Sequence, residues 1–136
     1  MGSRENLQEA YTTLQAAVAR LGSMPLPRLG AELMPRFQPV SSEILPSRQS
    51  IPELAEHFAP GFVLIPTHPA HKQLQAHLRQ LILEGLQVLE HASLICIHFE
   101  QRGIGHLNYQ ATRRGLAVLS QGTVEQTLWA SHQPEV

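Results

Sequence analysis

The chain has 136 residues, of which 43% are hydrophobic and 15% charged, with a formal net charge of −1; this is enough for one ordinary domain or two small ones. No run of about 18 apolar residues occurs and no apolar stretch follows Arg4, so the sequence excludes a membrane-spanning helix and a secretory signal and predicts a cytoplasmic protein. All 11 acidic residues are glutamate and Cys96 is the single cysteine, which excludes aspartate-based catalytic triads, EF-hand loops and an internal disulfide.

Helical spacing dominates the start of the chain. Apolar residues recur at i, i+3 and i+4 in a first amphipathic helix that ends at Gly22. A second helix begins near Pro27, and Pro35 should shorten or kink it because proline lacks a backbone donor. The first stripe comprises Leu7, Ala10, Tyr11, Leu14, Ala17, Val18 and Leu21, and the second Leu29, Leu33, Met34 and Phe37.

A polar loop over residues 38–49 separates the second helix from a third. The segment from Ser50 to Glu53 has the pattern of a capping box and predicts a short helix that ends before Pro60. Residues 62–65 predict a brief strand. A leucine-rich stripe then predicts one long helix, with only Gly85 against it; its members are Leu74, Leu78, Leu81, Ile82, Leu86 and Leu89.

The second half of the chain closes with a hairpin and short helices. Residues 94–99 are rich in β-forming side chains and residues 107–111 alternate, so the two runs should pair. Thr112 is a predicted N-cap and Gly122 a predicted stop for the helix that follows. Residues 123–130 are compatible with a helix or a strand.

The first half resembles a known family. Three helices followed by a strand give the order of a helix-turn-helix with a β wing. The stretches Leu26–Phe37, Ile51–Phe58 and Gly61–Leu64 resemble the LOTUS (OST-HTH) winged-helix family, through a Leu-x-x-Leu-Gly-x-x-Leu second helix and a Leu-x-x-x-Phe third helix. The resemblance covers roughly residues 7–66. It implies a winged-helix fold that binds RNA or docks a helicase.

The second half also resembles winged-helix proteins, at the end of its predicted hairpin. Residues 109–119, Tyr-Gln-Ala-Thr-Arg-Arg-Gly-Leu-Ala-Val-Leu, resemble the joint between wing and final helix in bacterial winged-helix regulators. In that joint an aromatic strand end packs on the core, Thr satisfies orphan amides and Gly allows close approach. We therefore expect an α+β, helix-rich winged helix-turn-helix architecture of one or two units. Residues 1–66 would form the first, and the long helix, wing and short C-terminal helix of residues 67–136 would form a second or join the first.

Arginines supply the candidate nucleic-acid contacts. Arg102 lies with Gly103 and Gly105 at the predicted hairpin tip, and Arg113 and Arg114 lie at its base. Arginine suits bidentate contact with phosphate, and glycine lets a backbone approach closely. A second group, which flanks the other helix-turn-helix, comprises Arg28, Arg36 and Arg48. The alternative is that these are solvated arginines on a nearly neutral protein.

Metal and catalytic sites are disfavoured by spacing. Among the eight histidines, His71 and His77 are six residues apart, which is roughly 240° around a helix. Cys96 and His98 share one strand face, but a cysteine inside an apolar run is more often an inert core residue. The sequence has no phosphate-binding glycine loop, Gly-x-Ser-x-Gly or His-Glu-x-x-His pattern. We expect no catalytic residue, metal site or cofactor.

The sequence therefore predicts a non-catalytic, regulatory or nucleic-acid-binding winged-helix module, for RNA or DNA. The alternative function is that of an adaptor that holds a protein partner or a second copy of the chain. The neutral charge and the leucine stripe of the long helix favour that alternative. No membrane association is expected.

Overall fold

The computed structural model describes residues 3–39, 47–62, 69–99 and 107–132. It is helix-rich with one small antiparallel sheet, which confirms the α+β prediction. The helices are α1 (Ser3–Gly22), α2 (Leu26–Leu33), α3 (Ile51–Phe58), α4 (Pro69–His91), α5 (Arg113–Gln121) and α6 (Val124–His132), with a 3-10 helix at Met34–Phe37. The strands are β1 (Gln49–Ser50), β2 (Ile95–Phe99) and β3 (Leu107–Ala111).

The chain divides into two compact units that are not continuous in sequence. Unit 1 consists of Met1–Met24 and Ile51–Leu83, and unit 2 of Pro25–Ser50 and Glu84–Val136. Helix α4 contributes its first part to unit 1 and its last part to unit 2. The boundary predicted after residue 66 falls among residues 63–68, outside the described part of the chain, and stays a prediction.

The core of unit 1 is built from the apolar stripes of α1, α3 and α4. Leu14, Leu54 and Ile82 are each 0% exposed, as the helical spacing predicts. Gly61 closes the turn after α3 with a φ of 91°, and its N–H donates to the Glu56 carboxylate at 2.9 Å. Phe62 follows in a helical turn, where a strand was predicted to begin; residues 63–65 of that predicted strand lie outside the described residues.

Helix α2 and the last part of α4 cross closely within unit 2. A Cβ added at Gly85 would collide with Leu33 Cδ1 and lie 3.2 Å from Leu29 Cγ. A Cβ added at Gly30 would lie 2.9 Å from Leu128 Cδ1 of α6. The glycine that interrupts the stripe of α4 therefore costs about 1 kcal/mol of helix propensity and provides the space for this crossing.

The sheet of unit 2 has the order β1-β3-β2, with both pairs antiparallel. The β2–β3 pairing confirms the predicted hairpin, and α6 settles residues 124–130 as helix. Strand β1 corrects the last residue of the loop predicted over residues 38–49, because Gln49 pairs with Tyr109 and Ser50 with Asn108. Residues 40–46 of that loop lie outside the described residues. None of the helices in the described ranges combines the length and hydropathy needed to cross a bilayer.

Candidate nucleic-acid interface

The paired strands β2 and β3 form the base of the predicted wing. Ile95 pairs with Ala111 at the base, and Phe99 pairs with Leu107 toward the tip. At about 3.3 Å per residue, the paired stretch is roughly 13 Å long. Residues 100–106 lie outside the described residues, and with them the predicted tip contacts Arg102, Gly103 and Gly105. Those three residues stay predictions.

Helix α5 begins at the base of the hairpin and is fixed there by Thr112. The Thr112 hydroxyl accepts a hydrogen bond from the Gly115 N–H at 3.0 Å and donates to the Ser93 carbonyl at 2.6 Å. Its backbone N–H donates to the Leu94 carbonyl at 3.0 Å. The predicted N-cap is confirmed, and the start of the helix is tied to the start of β2.

Close packing reinforces this attachment. A Cβ added at Gly115 would collide with the Leu94 carbonyl oxygen and lie 3.0 Å from Met34 Cε of the 3-10 helix. Gly115 thus brings the first turn of α5 against both the sheet and the 3-10 helix. Arg113 and Arg114 occupy the preceding positions and are exposed.

We expect Thr112→Ala to lower the free energy of unfolding by about 0.5–2 kcal/mol, because the first turn of α5 loses its side-chain acceptor. Thr112→Ser keeps a hydroxyl at the cap and should lose far less. Urea denaturation followed by circular dichroism would measure both. Equal losses for the two variants would mean that the threonine methyl group, and not the cap, stabilises this joint.

Two further arginines belong to segments that are tied to this end of the sheet. The Gln49–Tyr109 register, continued by one residue, places Arg48 across from Gln110, three residues before Arg113. The Ser47 hydroxyl donates to the Gln38 carbonyl at 2.8 Å, which ties the end of the 3-10 helix carrying Arg36 to the residue before Arg48. Gln38 and Leu116 of α5 also line one shallow cavity. We call Arg36, Arg48, Arg113 and Arg114 the arginine cluster.

The arginine cluster holds four of the ten Lys and Arg residues of a protein with net charge −1. All four members are exposed, and residues 34–39, 47–50 and 107–123 contain no glutamate. Arg36, Arg113 and Arg114 form no ion pair with any described residue. Arg113 and Arg114 also lie at the positive end of the α5 dipole, where a cation is unfavourable by about 0.3–1 kcal/mol. Their position is therefore better suited to binding an anion than to stabilising the helix.

Arg28, also a predicted contact, lies in a different environment. Its guanidinium donates to the Glu125 carboxylate at 2.8 Å and lies 3.7 Å from Glu32. The Arg28 hydrogen bond, helped by the Trp129 indole N–H, holds the pKa of the Glu125 carboxyl below its usual value. Arg28 is thus compensated by two carboxylates, and we leave it outside the arginine cluster.

The sheet also carries a buried tyrosine and the single cysteine. Burial raises the pKa of the Tyr109 phenol and the Glu90 carboxylate raises it further, so Tyr109 is neutral at physiological pH. Cys96 is half-buried on β2. No group of three His, Cys or Glu side chains suited to a metal ion occurs within the described ranges.

The sequence did not indicate how the arginines group together. It separated Arg28, Arg36 and Arg48 from the wing arginines, whereas β1 and the Ser47–Gln38 hydrogen bond bring Arg36 and Arg48 to α5. A two-residue strand is too short to show alternation, so no sequence signal marked this contact. No family model matches the chain, and neither the curated proteins nor the solved structures contain a match to it.

Proposed function

We propose that this protein is a non-catalytic winged-helix module that binds nucleic acid, RNA or DNA, through the arginine cluster. The observation that carries this proposal is the exposure of Arg113 and Arg114 at the hairpin base, where they form no ion pair with any described residue. The β1–β3 register and the Ser47–Gln38 hydrogen bond bring the segments that carry Arg48 and Arg36 toward them. Planar guanidinium groups bind phosphate oxygens in a bidentate manner, and the cluster offers several at one end of one sheet.

The order of elements supports the winged-helix part of the proposal. Helix α2, strand β1, helices α3 and α4, and the β2–β3 hairpin follow one another along the chain. The hairpin strand β3 lies between β1 and β2 in the sheet. A helix pair followed by a β wing is the arrangement that helix-turn-helix modules with wings use. Under this proposal Arg102, Gly103 and Gly105 extend the phosphate contacts to the wing tip.

The proposal is tested by the salt dependence of binding. The parent protein should bind an oligonucleotide of mixed sequence at low salt. The logarithm of its binding constant should fall linearly with the logarithm of the salt concentration, and the slope counts the phosphate contacts. Replacing Arg102, Arg113 and Arg114 together by Gln should lower that slope by about 2–3 units and leave the melting temperature unchanged or slightly higher. Fluorescence anisotropy at several salt concentrations would measure it.

A matched control and two contrary outcomes sharpen the test. Arg28→Gln removes an arginine that is already paired with Glu125 and should leave the slope unchanged. An unchanged affinity in the triple variant would confine the contacts to Arg36 and Arg48. A parent protein that binds neither RNA nor DNA at low salt would overturn the proposal.

The second candidate function is that of an adaptor or dimerising subunit, and a groove on unit 2 favours it. The groove has a volume of about 460 Å³, and Leu26, Val88 and Leu128 supply its apolar lining. Leu26 is 36% exposed, and Trp129, also on α6, is 43% exposed. Sedimentation would reveal a second copy as a mass near twice 15.1 kDa. Monomeric behaviour at high concentration would exclude self-association.

A further inference from the structure

Strand β2 forms one edge of the sheet of unit 2. Among the described strands only β3 pairs with it, and on one side. The Thr112 N–H donates to the Leu94 carbonyl at 3.0 Å, which continues the β2–β3 register and directs the backbone groups of the even-numbered residues of β2 to β3. By alternation, Ile95, Ile97 and Phe99 direct their N–H and C=O groups to the outer edge. No described strand uses these groups.

The outer edge of β2 lacks the features that usually prevent pairing with another chain. Such edges commonly carry a charge, a proline or a bulge. The strand reads Ile-Cys-Ile-His-Phe, with no Lys, Arg, Glu or Pro, and its five residues pair with β3 without a bulge. A second, antiparallel β2 overlaps with all of them when Ile97 lies on a two-fold axis. Each outward N–H then meets a C=O, so the edge is complementary to itself.

Cys96 and His98 lie on one face of β2, because they are two residues apart on a strand. Gln110 and Asn108 of β3 lie directly across from them, and all four residues are half-buried. The other face belongs to the core, where Tyr109 is 5% exposed. Neither Cys96 nor His98 makes a side-chain hydrogen bond to any described residue. The thiol and the imidazole are therefore available on the side of the sheet that the core does not cover.

The self-complementary register brings these two side chains together with their copies. Cys96 then lies directly opposite His98 of the partner subunit, and His98 opposite Cys96 of the partner subunit. Directly opposite Cβ atoms are about 4.5–5.5 Å apart, and residues i and i+2 of one strand are about 6.6 Å apart. Two thiolates and two imidazoles surround one point above the sheet. Two Cys and two His are a tetrahedral zinc set, with distances of about 2.3 Å to sulfur and 2.0–2.1 Å to nitrogen.

We propose that two copies of this chain join their β2 strands and bind one Zn²⁺ through Cys96 and His98 of each copy. One chain supplies only half of the ligands, which agrees with the absence of a three-ligand group from its described residues. The two thiolates balance the charge of the ion, and their protons pass to the solvent. Asn108 can accept a hydrogen bond from the imidazole nitrogen that does not bind the metal. With four protein ligands the site is structural.

This inference goes beyond the proposed function and does not depend on nucleic-acid binding. The dimer would contain one continuous sheet of six strands, three from each copy. It would also carry two copies of the arginine cluster. The contact lies on β2 and is distinct from the groove lined by Leu26, Val88 and Leu128.

Sedimentation of the purified protein with EDTA or with added Zn²⁺ tests the proposal. At one protein concentration, we expect a mass near 15.1 kDa in EDTA and near twice that value with zinc. Elemental analysis of the dimer should give one zinc for two chains. Co²⁺ in place of zinc should show the visible absorption of a tetrahedral thiolate site. Cys96→Ser and His98→Gln should each stay monomeric with zinc, whereas Gln110→Ala, on the same face but away from the edge, should still dimerise.

Ile97→Pro tests the strand pairing separately from the ligands. Proline removes the N–H that points to the outer edge and leaves the β2–β3 ladder unbroken. This variant should lose the zinc-induced dimer while circular dichroism shows the fold retained; should it not fold, Cys96→Ser and His98→Gln decide the matter. Zinc binding to a single chain without dimerisation would overturn the proposal, and so would a dimer that persists in EDTA. A dimer that only a reductant dissociates would be a Cys96 disulfide, which also overturns it.

Discussion

Replacing Gly115 by alanine is expected to destabilise the protein by about 3 kcal/mol or more. The added Cβ would collide with the Leu94 carbonyl oxygen and lie 2.9 Å from the Leu94 carbonyl carbon. Both atoms belong to the backbone, so no side-chain rotation relieves the contact and the start of α5 must move away from β2. Guanidinium denaturation followed by circular dichroism would measure the loss.

Gly122→Ala is the matched control for this prediction. Gly122 has a φ of 70° at the end of α5, and nothing lies within 4 Å of an added Cβ. Its substitution should cost only the strain of a left-handed alanine, about 1–2 kcal/mol. A loss at Gly115 no larger than the loss at Gly122 would show that α5 is not packed as closely on β2 as described.

Leu14→Ala and Ile82→Ala should each lower the free energy of unfolding by about 2–5 kcal/mol. Both side chains are 0% exposed in unit 1, so truncation leaves a cavity among well-packed neighbours in addition to the loss of burial. Thermal and urea denaturation of each variant would give the values.

An exposed leucine provides the control for these two core substitutions. Leu26 is 36% exposed at the start of α2, and Leu26→Ala should therefore cost far less than the two core substitutions. Losses below roughly 0.5 kcal/mol for Leu14→Ala or Ile82→Ala are typical of surface changes. Such values would mean that these side chains face solvent in solution.

Local signals predicted most of the helices. The stripe that includes Leu14 predicted α1, and its end at Gly22 agrees with the structure. Pro35 ends the regular hydrogen bonding of α2, which gives way to the 3-10 helix at Met34–Phe37, as expected of a residue without a backbone N–H. Thr112 and Gly122 bound α5 as predicted. These features depend on neighbours within one or two turns, and the sequence displays such neighbours directly.

Features that depend on distant residues could not be predicted in this way. Strand β1 has two residues, and its identity as a strand comes entirely from Asn108 and Tyr109, about sixty positions later. In the sequence, Gly85 is only a residue of low helix propensity. The reason for a glycine there is the close approach of Leu33, which the structure shows. Both are tertiary effects that override local preference.

The candidate site shows the same division. The position of Arg113 and Arg114 at the hairpin base followed from the predicted strands and cap. The addition of Arg36 and Arg48 required the pairing of β1 and the Ser47–Gln38 hydrogen bond.

The pairing of β1 with β3 also has a consequence for synthesis on the ribosome. Ser50 is made 58 residues before its strand neighbour Asn108, which is roughly 3–12 s at about 5–20 residues per second. During that interval β1 has no partner strand, because β3 does not yet exist. The sheet of unit 2 can therefore close only after most of the chain has been translated.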